Sequence, residues 1–344
     1  MPQGLVRSNR LRSIAMCLAI AAVVALFVVS LGVGVRDIPV SHVVDALLHA
    51  DRSPTNPNLD EVNVLWDQRI PRGLLAVLVG AALAMSGAII QAMTRNPLAD
   101  PGILGVNAGS AFAIVVAVSV FGIGSYWGYV WFALIGAAVA AVIVYALANS
   151  GRAGATPVRL ALSGVALAAF LGGVTQGMVL IDSAAFTTMR FWQAGSITNR
   201  GFGVVAGMAA FVLVGAVVAV LVARALNAVA LGDDMAVALG VPLTRVRVLG
   251  VAAVTLMCGA ATAAAGPIGF VGLMIPHVVR WIVGPDQRWI LPFSLVGGAI
   301  LVVCADMLGR VTLGDEEIPA GIITAFIGAP VLIALARRRT ASEL

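Results

Sequence analysis

Apolar runs of about 20 residues, the length a helix needs to cross a bilayer core, recur along the chain with short polar breaks between them. They fall at 14–34, 72–93, 103–122, 127–148, 160–181, 202–223 and 248–266, and then at 268–284, 290–310 and 318–336. This pattern predicts about ten membrane-spanning helices. The least regular point lies inside 248–284, where "GPIGFVG" sets glycines and a proline against a continuous helix. The first run follows Arg7, Arg10 and Arg12. It is too long for a signal-peptide core and no A-x-A-like site follows it, so it reads as an uncleaved first helix.

The polar breaks are not alike. Between 35 and 71, "IPVSHVVDALLHA" puts Ile38, Val43, Val44, Leu47 and Leu48 roughly on one side of a short helix. That predicts an external amphipathic helix at the membrane surface, followed by a polar turn. Residues 184–201 mix Phe186, Met189, Phe191 and Trp192 with polar residues and read as an external interfacial segment, where aromatic rings are favoured. The connection 224–247 contains "GDDMAVALG", a short helix with Asp233 as its N-cap, Gly240 at its stop and a restart at Pro242. In "RNPLADPGILGV" (95–106), Pro97 and Pro101 end one helix and let the next begin, with Asp100 as N-cap and Gly102 in the first turn. Small-x-x-x-small spacings such as Gly80, Ala84 and Gly87, and "SGVALAAFLGG" at 163–173, predict closely packed helices or a packed bundle with a central path.

Composition turns this pattern into a class. With 60% hydrophobic and 11% charged residues and a mean hydropathy of +1.03, this is an integral membrane protein. All 21 basic residues are arginine and lysine is absent. The pI near 9.8 does not point to nucleic acid, because basic residues flank membrane spans for reasons of topology. With the N-terminus inside, Arg7, Arg10, Arg12, Arg95, Arg152, Arg159, Arg224, Arg245, Arg247, Arg280, Arg288 and Arg337 to Arg339 are cytoplasmic, fourteen of the 21. The positive-inside rule therefore predicts N-in, C-in.

Chemistry-bearing residues are few. Cys17, Cys258 and Cys304 lie in apolar stretches, as small hydrophobes rather than disulfide partners or metal ligands. His42 and His49 sit on the external amphipathic segment, and His277 in "MIPHVVRW" has no second ligand at metal spacing. No metal or other cofactor is expected on this chain. Asp182 and Asp306 fall near the outer ends of spans, whose interiors carry only Ser, Thr, Asn and Gln. A proton- or ion-coupled secondary carrier working alone would need intramembrane ionisable groups or an ion site. A P-loop needs a lysine, so any ATP and magnesium must be held by a second polypeptide. No catalytic constellation of an enzyme is present.

Four stretches together resemble one family, the permeases of bacterial ABC importers for ferric siderophores, haem and cobalamin, often called the FecCD or iron-chelate uptake family. They are "RIPRGLLAVLVGAALAMSGAIIQAMTRNPLADPGILGVNAGSA" (69–111), "LGDDMAVALGV" (231–241), "GPIGFVGLMIPHVVR" (266–280) and "AGIITAFIGAPVLIALARRR" (320–339). The resemblance runs from about residue 20 to the C-terminus and implies an all-α type II importer permease fold in the cytoplasmic membrane, with 1–344 as one transmembrane domain. It also implies a second permease subunit, identical or a sister chain, two cytoplasmic ATPase subunits, and an extracytoplasmic substrate-binding protein.

The same resemblance implies roles for particular residues. Asn96 and Leu98 of "NPL" narrow the inner end of the pathway, and Thr156 stays from the hydroxyl residues that relatives place just before the fifth helix, here followed by Pro157 and Val158. Asp233, Asp234, Ala238, Leu239, Gly240 and Val241 form the helix that couples to the ATPase. Arg69, Arg72 and Arg310 dock acidic residues of the binding protein, as guanidiniums suit carboxylates. The local alternative pairs Arg310 with Asp306 and Arg69 with Asp67. The expected cargo is a ferric siderophore, with haem or cobalamin as alternatives.

Overall fold

Inside a bilayer only a helix satisfies its own N–H and C=O groups along a single strand of chain, so the apolar runs have one way to fold. The computed structural model describes residues 4–6, 8–34, 38–150, 156–312 and 316–340, and it is all-helical in architecture. In chain order it contains α1 (Asn9–Gly32), α2 (Val40–His49), α3 (Leu59–Asn63), a π-helical turn (Val64–Arg69) and α4 (Ile70–Thr94). A 3-10 turn (Pro101–Leu104) leads to α5 (Val106–Ser119), α6 (Tyr126–Asn149), α7 (Pro157–Ile181) and α8 (Ser183–Trp192). Beyond these lie α9 (Phe202–Ala230), α10 (Asp233–Ala238), α11 (Leu243–Ala265), α12 (Val271–Val283), α13 (Gln287–Val311) and α14 (Ala320–Thr340).

Ten of these helices coincide with the ten apolar runs: α1, α4, α5, α6, α7, α9, α11, α12, α13 and α14. Seven are long and apolar enough to cross a membrane unaided, whereas α5, α12 and the apolar part of α14 are shorter. The 13 residues of α12 rise only about 20 Å at 1.5 Å each, short of a core about 30 Å thick. The run expected at 268–284 therefore starts late. Gly266 and Phe270 both take left-handed backbone, at φ +75° and +68°, and the link between them cannot be helical.

α4 is the axis of the bundle, buried along almost its whole length and packed by α9, α11, α12 and α13. Its glycines let backbones touch. A Cβ added to Gly80 would stand 2.1 Å from the Gly298 carbonyl oxygen of α13, and one on Gly87 only 1.8 Å from that of Gly272 on α12. Gly109 of α5 and Gly136 of α6 face each other in the same way. Close packing, which drives helix association where lipid removes the hydrophobic term, is thus what the small-residue spacing encodes around Gly80, Ala84 and Gly87. Outward faces are apolar too, with Val24, Ile135, Phe170 and Leu221 all exposed.

Two surface segments differ from expectation in detail. α2 forms, but its apolar side is divided: Val43 and Ala46 are buried with Ile38, while Val44, Leu47 and Leu48 point away from the protein. Trp66 Nε1 donates to the Ala46 carbonyl at 3.0 Å, fixing α2 to the helical stretch that runs into α4. Residues 59–69, expected in a loop, are helical. In α8, Phe186 is exposed as an interfacial ring should be, but Met189 and Trp192 are buried where α8 packs on α5 and α7. The side chain of Phe191 lies outside the described residues.

Candidate functional site

α4 ends at Arg95, whose left-handed backbone (φ +52°) turns the chain. Asn96 Oδ1 then accepts the Leu98 N–H at 3.0 Å, an Asx turn that holds the "NPL" backbone in place. Asn96 is exposed and Leu98 half-buried, so both stand at the mouth of the bundle. Asp100 caps the 3-10 turn, accepting the Gly102 N–H at 2.8 Å. Up to this point the segment is as expected.

Residues 101–105, however, do not make a tight surface reversal. Pro101 lies beside Gly272, and Gly272 lies against the carbonyl of Leu83, halfway along α4. The chain therefore climbs back into the bundle before α5 begins at Val106, after a left-handed Gly105 (φ +73°), three residues later than the apolar run suggests. Backbone that breaks from the α-helix at this depth is tolerated only when protein covers it. Here α7 does so, for Gly164 approaches so closely that a Cβ would stand 1.7 Å from the Ile103 carbonyl. Thr156, by contrast, is the N-cap of α7, with Oγ1 accepting the Arg159 N–H at 3.4 Å.

The short helix in 224–247 forms as α10, with one correction. Gly232, not Asp233, is the N-cap, because its φ of +120° is open to glycine alone and leaves Asp233 and Asp234 in the first turn, facing the positive end of the helix. Asp233 Oδ2 pairs with Arg247 Nη2 at 2.7 Å, tying α10 to α11. Gly240 (φ +76°) ends the helix and α11 restarts after Pro242, as expected. Met235, Val237 and Leu239 are exposed, an apolar edge at a polar end of the bundle. Ala238, Gly240 and Val241 border it. Arg95 Nη1 reaches within 3.5 Å of where a Gly232 side chain would start, so α10 and the "NPL" turn are neighbours.

The three outer arginines are buried, and this corrects the expectation that they present guanidiniums at the surface. Arg69 is 7%, Arg72 9% and Arg310 2% exposed. Arg69 Nη1 donates to the carbonyls of Leu31 and Gly32 at 2.6 and 2.8 Å. It does not pair with Asp67, which binds Arg52 instead. Arg72 donates to Asp306 at 2.9 Å and to Glu317 at 2.7 Å. Arg310 pairs with Asp306 and donates to the Ser30 carbonyl at 2.9 Å. The local alternative thus holds for Arg310, and the cluster joins α1, α4, α13 and the turn before α14.

A model of the FecCD transport family matches residues 22–338, nearly the whole chain. The chain belongs to that family. Among curated relatives, it is 44% identical over 311 residues to the ferric enterobactin transport system permease protein FepD of Escherichia coli (strain K12), covering 90% of this chain and 91% of that one. It is 42% identical over 275 residues to the probable siderophore transport system permease protein YfiZ of Bacillus subtilis (strain 168), covering 80% and 83%. A solved chain described as an inward-facing conformation of a metal-chelate type ABC transporter superposes with a TM-score of 0.81 at 28% identity, over 94% of this chain and 99% of that one. As a FecCD permease the protein is a multi-pass membrane transport subunit.

This FecCD chain also holds polar links that sequence alone did not reveal. Gln91 Nε2 donates to the Gly272 and Leu273 carbonyls at 3.1 Å, and Arg280 Nη1 donates to Gln91 Oε1 at 2.7 Å. Asn227 donates to Asp286 at 2.8 Å and accepts the Gln287 N–H, joining α9 to the start of α13. Partial burial raises the Asp286 carboxyl, but hydrogen bonds from Arg288 and Asn227 outweigh it and hold the group below the ordinary carboxylate range. Only a lone Gln or Asn within an apolar run could have signalled these links. Among the described residues, no group of His, Cys, Asp and Glu gathers as a metal site.

Proposed function

We propose that the chain is the permease through which an ABC importer moves a ferric siderophore, driven by separate ATPase subunits and fed by an extracytoplasmic binding protein. The observation that carries this reading is the 44% identity to the ferric enterobactin permease over 90% of the chain. Inner narrowing is assigned to Asn96 and Leu98, and Thr156, the N-cap of α7, to the same path.

Two unpartnered faces support the assembly. On α7, Gly172, Gly173 and Gly177 have no neighbouring atom within 4 Å of a Cβ position. A helix this open leaves room for a second permease subunit and a wide, uncharged path between the two. On α10, the exposed Met235, Val237 and Leu239 offer an apolar edge for an ATPase groove. A short capped helix moves as a rigid body, and its contact with the Arg95 turn carries that movement to the inner narrowing.

At the other end, Arg72 meets the surface, among the described residues, at Glu317, whose side chain is 31% exposed. We assign docking to exchange at that pair. Affinity purification from membranes tests the assembly: an ATP-hydrolysing subunit should copurify, and ATP-independent transport by the isolated chain would refute it.

A further inference from the structure

α6 and α11 lie antiparallel on the outer face of the bundle and leave a groove of about 480 Å³ between them. Its walls are stripes at helical spacing, with Ala138, Val142 and Ala146 of α6 opposite Leu256, Ala252 and Val248 of α11. The alanines make it concave. The face is open, because Val142 is 65% and Val248 51% exposed. At Val248 the groove continues into a second hollow, which is lined by Leu243 and Arg245 and reaches Val237 of α10.

Length and charge say what fits. From Arg245 to Leu256 the groove follows α11 for twelve residues, eleven rises of 1.5 Å or about 16 Å. Half of a hydrocarbon core about 30 Å thick is one leaflet, the depth of one acyl chain. The groove thus starts at the arginine-rich membrane surface and stops near the midplane. Arg245 at its mouth is exposed and forms no ion pair among the described residues, whereas the neighbouring Arg247 is already held by Asp233. A free guanidinium above an apolar slot one leaflet deep complements a phosphate above an acyl chain.

We propose that this groove binds one acidic phospholipid, its acyl chain between α6 and α11 and its phosphate on Arg245, beside α10. The site depends on the bilayer and not on the cargo, so it stands apart from the siderophore assignment. Bound there, the lipid abuts the segment assigned to ATPase coupling.

Native mass spectrometry of the full chain, purified alone and with its copurifying subunits, tests this against phosphatidylglycerol and phosphatidylcholine of identical chains. The wild type should retain one phosphatidylglycerol about tenfold more tightly than phosphatidylcholine. Arg245→Gln should erase that preference, Ala252→Phe, at an exposed groove position, should weaken both lipids, and Arg224→Gln at the same membrane surface should change neither. Equal affinity for the two lipids, a preference that survives Arg245→Gln, or absence of the lipid in the intact assembly because a partner subunit fills the groove would each overturn the proposal.

Discussion

Arg72 and Asp306 are 234 positions apart in the chain and form a buried ion pair, with Nη2 and Oδ1 2.9 Å apart. The same carboxylate serves Arg310. One acid therefore neutralises two buried guanidiniums, and Glu317 supplies the second negative charge from the rim. Removing one partner of a buried pair leaves an uncompensated charge, so Asp306→Asn should destabilise the protein by about 3–5 kcal/mol. Glu317→Gln, at a partly exposed pair, should cost under about 1 kcal/mol. Thermal unfolding in detergent measures both, and equal losses would show that the cluster is not centred on Asp306.

Docking at the Arg72–Glu317 pair makes an asymmetric prediction. If a carboxylate of the binding protein displaces Glu317, then Glu317→Gln should tighten binding-protein affinity, whereas Arg72→Gln should weaken it about tenfold or more. Surface plasmon resonance on the reconstituted permease reads both. Weakening by both variants would mean that the cluster is only structural.

Glycine crossings can be separated from open glycines. Gly80→Ala drives a Cβ into the Gly298 carbonyl, an overpacking that should cost about 1–3 kcal/mol. Gly172→Ala meets nothing within 4 Å and should stay within about 0.5 kcal/mol in the isolated chain. Unfolding curves of the two variants, side by side, check the difference.

Much of this was legible because hydropathy responds to length: each of the ten apolar runs became a helix. Glycine spacing likewise announced the crossing at Gly80 and Gly87. The re-entrant climb of 95–105 was hidden, since prolines and an Asx turn look alike whether the chain turns at the surface or climbs back inward. The short α12 was hidden because a window of about 20 residues cannot resolve a break at Gly266 and Phe270. Arg69 and Arg72 looked like surface groups because their partners are carbonyls at the end of α1 and acids 234 and 245 positions from Arg72, whereas the pairing of Arg310 with Asp306, four residues away on one helix, was readable. The α10 helix was readable because its glycine stop is local, although the cap fell one residue earlier.

A pH dependence should arise at the inner end. Asp286 is held below the ordinary carboxylate range when folded, so its contribution is present above the unfolded value, about 3.9, and fades as pH falls through the folded one. Asp286→Ala also removes the N-cap of α13 and should cost about 1 kcal/mol at pH 7. Melting temperatures of wild type and variant should differ at pH 7 and converge as pH falls below the ordinary carboxylate range. A gap that widens on acidification would reverse the assigned sign.

The α10 edge and the cargo are tested together by ATP-driven uptake of ferric siderophore into proteoliposomes that contain the permease, its ATPase and its binding protein. The wild type should accumulate ferric siderophore in preference to haem and cobalamin, only with ATP. Leu239→Asp should keep the fold and much of the ATP hydrolysis while uptake falls about tenfold or more. Uptake without ATP, preference for haem or cobalamin, or full uptake by Leu239→Asp would contradict the account.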